Sequence, residues 1–164
     1  VAEHSVWVAR VVEDYLTRNY PALDPKLHKR IVLLALLHDA AEAYCHDIIR
    51  PIKVNIKATY GPIEAANMRA ISDQFGLWRG HDGEGGVHTS GASLPDVPDL
   101  IEAADNAMLR AEQAVLMKPP PVPWQPIVGV PDDMQKFAHE GTKLGWRPDQ
   151  AEQHFLDYFG DLAA

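Results

Sequence analysis

The chain has 164 residues, which is enough for one domain with a hydrophobic core and too few for two comfortable ones. Its hydrophobic fraction of 46% is ordinary for a globular protein, and its longest apolar run, residues 31–37, is far shorter than a membrane span. With 23 acidic and 15 basic residues the formal net charge is −8, and the sequence contains no basic stripe. A nucleic-acid polymer is therefore not expected as the main partner.

The single cysteine, Cys45, excludes an internal disulfide framework and favours a reducing, cytoplasmic setting. The first residues lack the basic head, apolar stretch and cleavage site of a signal peptide. The chain begins at Val1 rather than Met, with residues that already follow a helical pattern. We therefore expect a further segment upstream of a single domain that spans residues 1–164.

The first two predicted helices contain most of the strongly apolar sequence. One runs from Val1 to about Arg18, because apolar residues recur there with a 3.6-residue period. The next begins at Asp24-Pro25, a capping side chain followed by a proline at the first helical position, and runs to about Cys45. Its segment 31–43 is nearly apolar all round, which predicts a central buried helix.

The rest of the chain also has helical patterns, and no alternating strand pattern is found. A third helix is predicted to begin at Gly61-Pro62 and to end at Gly76, followed by a loop over Gly80–Ser93. Proline residues from Pro119 to Pro126 predict an extended connection. Three further helices are predicted: from Pro98-Asp99 to about Met117, over Asp132–His139, and from Pro148 onward. The expected fold is therefore an all-α bundle of about five to seven helices.

Helix two carries polar residues where its pattern predicts burial. His38 and Asp39 directly follow seven apolar residues, and an ionised carboxylate in such surroundings is costly unless it is paired or bound to a metal. Glu42 lies four residues beyond His38 and three beyond Asp39, so the three side chains are expected to share one helix edge.

Two other helices show the same anomaly. Asp105 falls on the apolar stripe of the fourth helix, and His4 lies four residues before the buried-face Val8. Two histidines and two carboxylates suit a divalent ion and would leave coordination positions open. Taken singly, each residue also has an ordinary interpretation: His4 as a core or surface histidine, His38-Asp39 as a chance dipeptide, and Asp105 as a cap or an ion-pair partner of Arg110 or Lys118.

Three short segments together resemble the H…HD…D signature of the HD (His-Asp) superfamily of metal-dependent phosphohydrolases. They are Glu3-His4-Ser5, the stretch LLHDAAEAY over Leu36–Tyr44, and Ala103-Ala104-Asp105. More narrowly, the chain is similar to small bacterial and phage HD hydrolases, including 5'-deoxynucleotidases, which carry H-D-x-x-E-x-x-x-x-D followed by Pro-x-Lys. Here these positions are His38, Asp39, Glu42, Asp47, Pro51 and Lys53.

The resemblance implies an all-α HD fold, a phosphate-ester substrate of nucleotide type, and a homodimer. It implies a divalent metal ion, one of Mn, Co, Fe, Ni, Zn or Mg, and it assigns the ligands as His4, His38, Asp39 and Asp105. Glu42 and Asp47 would then handle water and proton transfer. Many relatives have glycine before the second Asp of the motif, whereas this chain has His46.

Three further residues are candidates for substrate contact. Lys53, with Arg50 as second choice, is positioned in the sequence to stabilise phosphate charge, although solvated surface is an equally ordinary role. Trp7, three residues beyond His4, offers a ring for stacking on a nucleobase, with core packing as the alternative.

The resemblance to HD hydrolases leaves three functions open. The first is 5'-phosphomonoester hydrolysis of (deoxy)nucleoside monophosphates, and the second is a triphosphohydrolase acting on dNTPs. The third, from another class, is a catalytically silent regulatory module that binds metal and nucleotide. The presence of Glu42 and Asp47 favours an enzyme.

Overall fold

The computed structural model describes residues 2–46, 48–77, 96–119 and 129–164, with the side chains of residues 50 and 51 left aside. Within these ranges the chain forms seven helices and no strand, so the all-α expectation is confirmed. The helices are α1 (Ala2–Asn19), α2 (Pro25–Leu36), α3 (Glu42–Cys45), α4 (Arg50–Gln74), α5 (Val97–Leu116), α6 (Asp132–Glu140) and α7 (Pro148–Ala163). Among the described helices, none is both long enough and apolar enough to cross a bilayer.

Helix α1 lies at the centre of the bundle and packs against α2, α5, α6 and α7. Its apolar stripe is fully buried over about three turns, as the 3.6-residue period predicts. The residues of the stripe are Val6, Val8, Val11, Val12 and Leu16. Its first turn holds His4, which contacts Asp105 of α5.

Helix α2 begins where the sequence predicts but ends earlier. The Asp24 carboxylate accepts hydrogen bonds from the backbone N–H groups of Lys26 and Leu27 at 3.1 and 3.0 Å. The prediction that this helix continues to Cys45 is wrong, because the chain leaves the helix after Leu36 and forms a turn before α3. His38 and Asp39 therefore lie on this turn and not on a helix edge.

Helix α4 also departs from the prediction. It starts at Arg50, so the predicted start at Gly61-Pro62 is wrong and both residues lie inside the helix. The first turn of α4 contains Pro51, and proline is favoured there because its missing N–H has no helical partner in any case. Gly76, with a φ of 59°, follows the helix in the left-handed conformation, as its predicted role as terminator requires.

Helices α5, α6 and α7 lie close to their predicted bounds. The predicted loop over Gly80–Ser93 and the extended connection over residues 120–126 fall outside the described residues.

Candidate metal centre

Three of the predicted ligands come together from three parts of the fold. His4 lies on the first turn of α1, His38 on the turn after α2, and Asp105 in the middle of α5. One ligand atom from each lies within 4.8 Å of the other two. Oδ1 of Asp105 is 3.0 Å from Nε2 of His4 and 4.0 Å from Nε2 of His38.

The ring of His38 is oriented by the backbone of α2. Its Nδ1 lies 2.8 Å from the carbonyl oxygen of Ala35, which can only accept, so Nδ1 carries the proton and donates. In the neutral ring Nε2 is then an unprotonated acceptor. This atom is buried and has no hydrogen-bond partner among the described residues. A buried polar atom without a partner requires an explanation, and a bound cation would supply one.

The ring of His4 is held by two carboxylates. Its Nδ1 lies 2.8 Å from Glu112 and its Nε2 lies 3.0 Å from Asp105. Burial alone would lower the pKa of His4, but the hydrogen bonds to Asp105 and Glu112 outweigh it and raise the pKa to about 10. Without a metal the ring is therefore an imidazolium that donates to both carboxylates.

Glu112 is the part of this cluster that the sequence reasoning missed. It stands seven residues after Asp105 on α5, which is two helical turns, so both carboxylates lie on the same helix face. That spacing was the available signal. In the structure Glu112 holds the ring nitrogen of His4 that faces away from Asp105.

Asp39 borders the cluster from the turn. Its Oδ2 is 3.1 Å from Nε2 of His38, but the contact lacks hydrogen-bond geometry. Burial raises the pKa of Asp39, yet contact with the His38 ring in its protonated form and the charges of His4 and Lys53 outweigh it and hold the pKa below its ordinary value. The carboxylate therefore remains ionised at neutral pH beside His38.

This donor set fits a divalent ion. Each histidine has Nδ1 occupied by a fixed acceptor and presents Nε2 toward Asp105, which is the arrangement that metal-ligating histidines show. Imidazole nitrogens with carboxylate oxygens suit Mn, Fe, Co, Ni and Zn. His4, His38 and Asp105 could hold such an ion, with Asp39 adjacent.

The predicted catalytic and phosphate-binding residues are partly described. Glu42 opens α3 and, with Asp39, lines a pocket next to the cluster. Lys53 forms an ion pair with Glu64. Burial lowers the pKa of Lys53, but Glu64 and, more weakly, Glu42 and Asp39 raise it above its ordinary value, so its ammonium lies within electrostatic reach of the cluster. Asp47 and the side chain of Arg50 lie outside the described residues.

Trp7 lies in the core. Only 5% of it is exposed, and its ring packs on Trp146 at a centroid distance of 5.3 Å. The guanidinium of Arg10 covers its ring at 4.8 Å. These contacts favour core packing over contact with a nucleobase.

A pocket of about 570 Å³ adjoins Asp39 between the start of α1, the turn after α2, α3, the end of α4, and α7. Its volume lies in the range of small-molecule sites. The walls are mainly apolar, and the polar side chains in the lining are Ser5, Asp39, Glu42, Tyr44 and His46.

The backbone at the pocket's edge adopts an unusual conformation at His46. This residue has φ 62° and ψ 151°, a region that glycine occupies readily and other residues rarely do. The hydroxyl of Tyr60, a residue only 8% exposed, donates to the carbonyl oxygen of His46. A glycine at this position would adopt this conformation without strain.

Comparisons of the chain with protein-family models, curated proteins and solved structures gave no match.

Proposed function

We propose that this protein is a metal-dependent phosphohydrolase of the HD type that hydrolyses 5'-phosphomonoesters of (deoxy)nucleoside monophosphates. The observation that carries the proposal is the buried, unpartnered Nε2 of His38, which faces the carboxylates of Asp105 and Asp39. The three residues that come together, His4, His38 and Asp105, are three of the four at which the sequence resembles the HD signature.

His4, His38 and Asp105, with Asp39 adjacent, would hold a divalent ion, which would supply Lewis acidity toward a phosphoryl oxygen and toward water. The residues of the chain have the remaining roles. Glu42, beside Asp39 at the pocket, accepts a proton from the attacking water. Lys53, whose charge interacts with those of Glu42 and Asp39, offsets the negative charge of the phosphoryl group. Asp47 is assigned to the leaving oxygen by the resemblance alone.

The reaction is a simple hydrolysis. The oxygen of water forms a bond to phosphorus while the bond from phosphorus to the ester oxygen breaks. The ester oxygen takes up a proton and leaves as the alcohol, and inorganic phosphate is the other product.

Charge favours a monoester over a triphosphate. Asp39 and Glu42 both line the pocket, and a polyphosphate chain placed there would meet two carboxylates. Lys53, whose charge Glu64 partly neutralises, would offset the charge of one phosphoryl group and not of three. The triphosphohydrolase therefore ranks second.

The test begins with protein purified without chelator, its bound metals measured by mass spectrometry, and phosphate release measured from a nucleotide panel with Mn or Co added. We expect stoichiometric metal and phosphate from deoxynucleoside monophosphates. His38→Ala should lose both, whereas His139→Ala, which changes an exposed histidine on α6, should keep both.

The other outcomes separate the alternatives. If only dNTPs are hydrolysed, and triphosphate is released, the protein is a triphosphohydrolase. Bound metal and bound nucleotide without turnover would assign the silent module. Wild-type protein that takes up no metal would overturn the ligand assignment.

We further propose a homodimer formed through α4. Ile52, Ile56 and Ile63 share one face of this helix and are 50%, 36% and 52% exposed, which makes an apolar stripe of the kind that interfaces cover. Light scattering should give twice the chain mass, and Ile56→Lys should reduce it to the mass of one chain. A wild-type monomer at micromolar concentration would contradict the dimer.

A further inference from the structure

The pocket beside Asp39 has mainly apolar walls, whereas the adjoining cluster of His4, His38 and Asp105 is polar. Its large apolar side chains come from α2, α4 and α7 and from the turn after α2. These side chains are Leu36, Leu37, Ile71, Phe75 and Phe155. A pocket of this size and lining binds the flat or bulky apolar part of a ligand, because apolar surface is removed from water there.

We propose that this pocket holds the uncharged, aromatic leaving group of the phosphate ester, so that the protein selects monoesters of aromatic-bearing alcohols by apolar contact and not by base-specific hydrogen bonds. The inference rests on the proposed function, since Asp39 belongs both to the pocket lining and to the surroundings of His38. A phosphoryl group at the cluster would therefore place the organic part of the ester at the pocket.

The polar side chains of the lining set a second condition. Asp39 and Glu42 are acidic, and an anionic leaving group in the pocket would be repelled by them. Esters whose alcohol part carries carboxylate or further phosphate groups are therefore excluded.

The lining also predicts that substrates with different nucleobases are hydrolysed with similar efficiency. Strong discrimination between polar analogues requires buried polar groups that are left unpaired by the wrong ligand. Tyr44, one of the polar residues of the lining, is 72% exposed and therefore remains hydrated. We expect the four deoxynucleoside monophosphates to be hydrolysed with kcat/KM values within about tenfold of each other, the scale of small apolar differences.

The test compares two wall variants with a matched control. Phe75→Ala changes a wall residue that directly follows α4 and is 43% exposed, and Ile71→Ala changes a second wall residue in the last turn of α4. Leu156→Ala is the control, because Leu156 is 54% exposed and neighbours Phe155 without lining the pocket. The substrates are thymidine monophosphate, 4-nitrophenyl phosphate and glycerol 2-phosphate.

We expect wild-type protein to prefer both aromatic esters over glycerol 2-phosphate by at least about tenfold in kcat/KM. Each wall variant should reduce this preference by about tenfold, mainly through KM, and the control should keep it. Thymidine, which has no phosphate, should bind the wild type and the control in calorimetric titration and bind each wall variant more weakly.

The outcomes distinguish the two proposals. Phosphate release without preference among the esters, together with unchanged thymidine binding in both wall variants, would overturn the pocket assignment and leave the hydrolase standing. If thymidine binding is weaker in the wall variants but no ester releases phosphate, the pocket assignment would be supported and the proposed hydrolase function would be excluded.

Discussion

The two histidines of the cluster are oriented by acceptors of different kinds. His38 donates to the carbonyl of Ala35, a neutral acceptor built into α2, whereas His4 donates to the carboxylate of Glu112. A carboxylate partner fixes the ring and also makes the opposite nitrogen a stronger donor to a metal. The side chain of Glu112 is therefore expected to tune metal affinity without contacting the ion.

Glu112→Gln is expected to weaken metal binding by about 10- to 100-fold, the usual effect of losing such a partner. The amide can still accept a hydrogen bond but carries no charge. Metal affinity is measured by competition with a chelator of known affinity. Glu102→Gln, at an exposed position of the same helix, should bind metal as the wild type does, and equal affinities in all three proteins would remove Glu112 from the site.

Glu42→Gln is expected to lower turnover by at least about a hundredfold while leaving metal content unchanged, because it removes a proton acceptor and keeps the shape of the side chain. The measurement pairs kcat on a deoxynucleoside monophosphate with metal content by mass spectrometry. Full activity in this variant would exclude Glu42 from proton transfer.

At the scale of residues, the sequence predicted the candidate metal ligands better than the side chain that orients one of them. His4 and Asp105 are out of place on apolar helical stripes, and the structure brings both to His38. Glu112 left no comparable mark, because a glutamate on the partly exposed side of a helix is ordinary, and its role depends on which nitrogen of His4 faces it. That choice is made by tertiary packing.

At the scale of elements, the strained backbone at the end of α3 has an energetic cost. His46 occupies a region that disfavours a side chain by about 1–3 kcal/mol. His46→Gly removes this cost but adds freedom to the unfolded chain, so a net gain of about 1 kcal/mol is expected. For a chain of this size that is a rise of about 2–4 °C in Tm, measured by calorimetry.

The converse substitution provides the control. Gly76 has a φ of 59°, and a methyl group there would meet no atom within 4 Å, so Gly76→Ala tests the backbone cost alone. It should lower stability by about 1 kcal/mol. A His46→Gly protein with a lower Tm than wild type would show that the histidine side chain contributes more than its backbone costs.

The bounds of the elements show which local signals are decisive. Asp24-Pro25 correctly predicted a helix start, because the cap forms its hydrogen bonds within three residues. The end of α2 carries no Gly, Pro or Asn, so the apolar run gave no sign that the chain turns at Leu37. Gly61-Pro62 resembled a start, but α4 continues through it, since the tertiary context outweighs the cost of one missing hydrogen bond.

At the scale of the whole molecule, a bound metal should stabilise the fold. A ligand that binds only the folded state adds about 2.7 kcal/mol at a free concentration of 100 times its Kd. We expect Mn or Co to raise Tm by several degrees and a chelator to reverse the shift. Asp105→Asn should abolish the shift, whereas Asp99→Asn, on the exposed first turn of α5, should retain it.

The separation of His4 and Asp105, which are 101 residues apart in the chain, also has a kinetic consequence. The cluster exists only when the first turn of α1, the turn after α2 and the middle of α5 are already docked, so a metal cannot assist the early steps of folding. Interactions that form after the transition state slow unfolding and leave the folding rate unchanged. In stopped-flow experiments a saturating metal should therefore lengthen the lifetime of the native state while refolding proceeds at the rate of the metal-free chain.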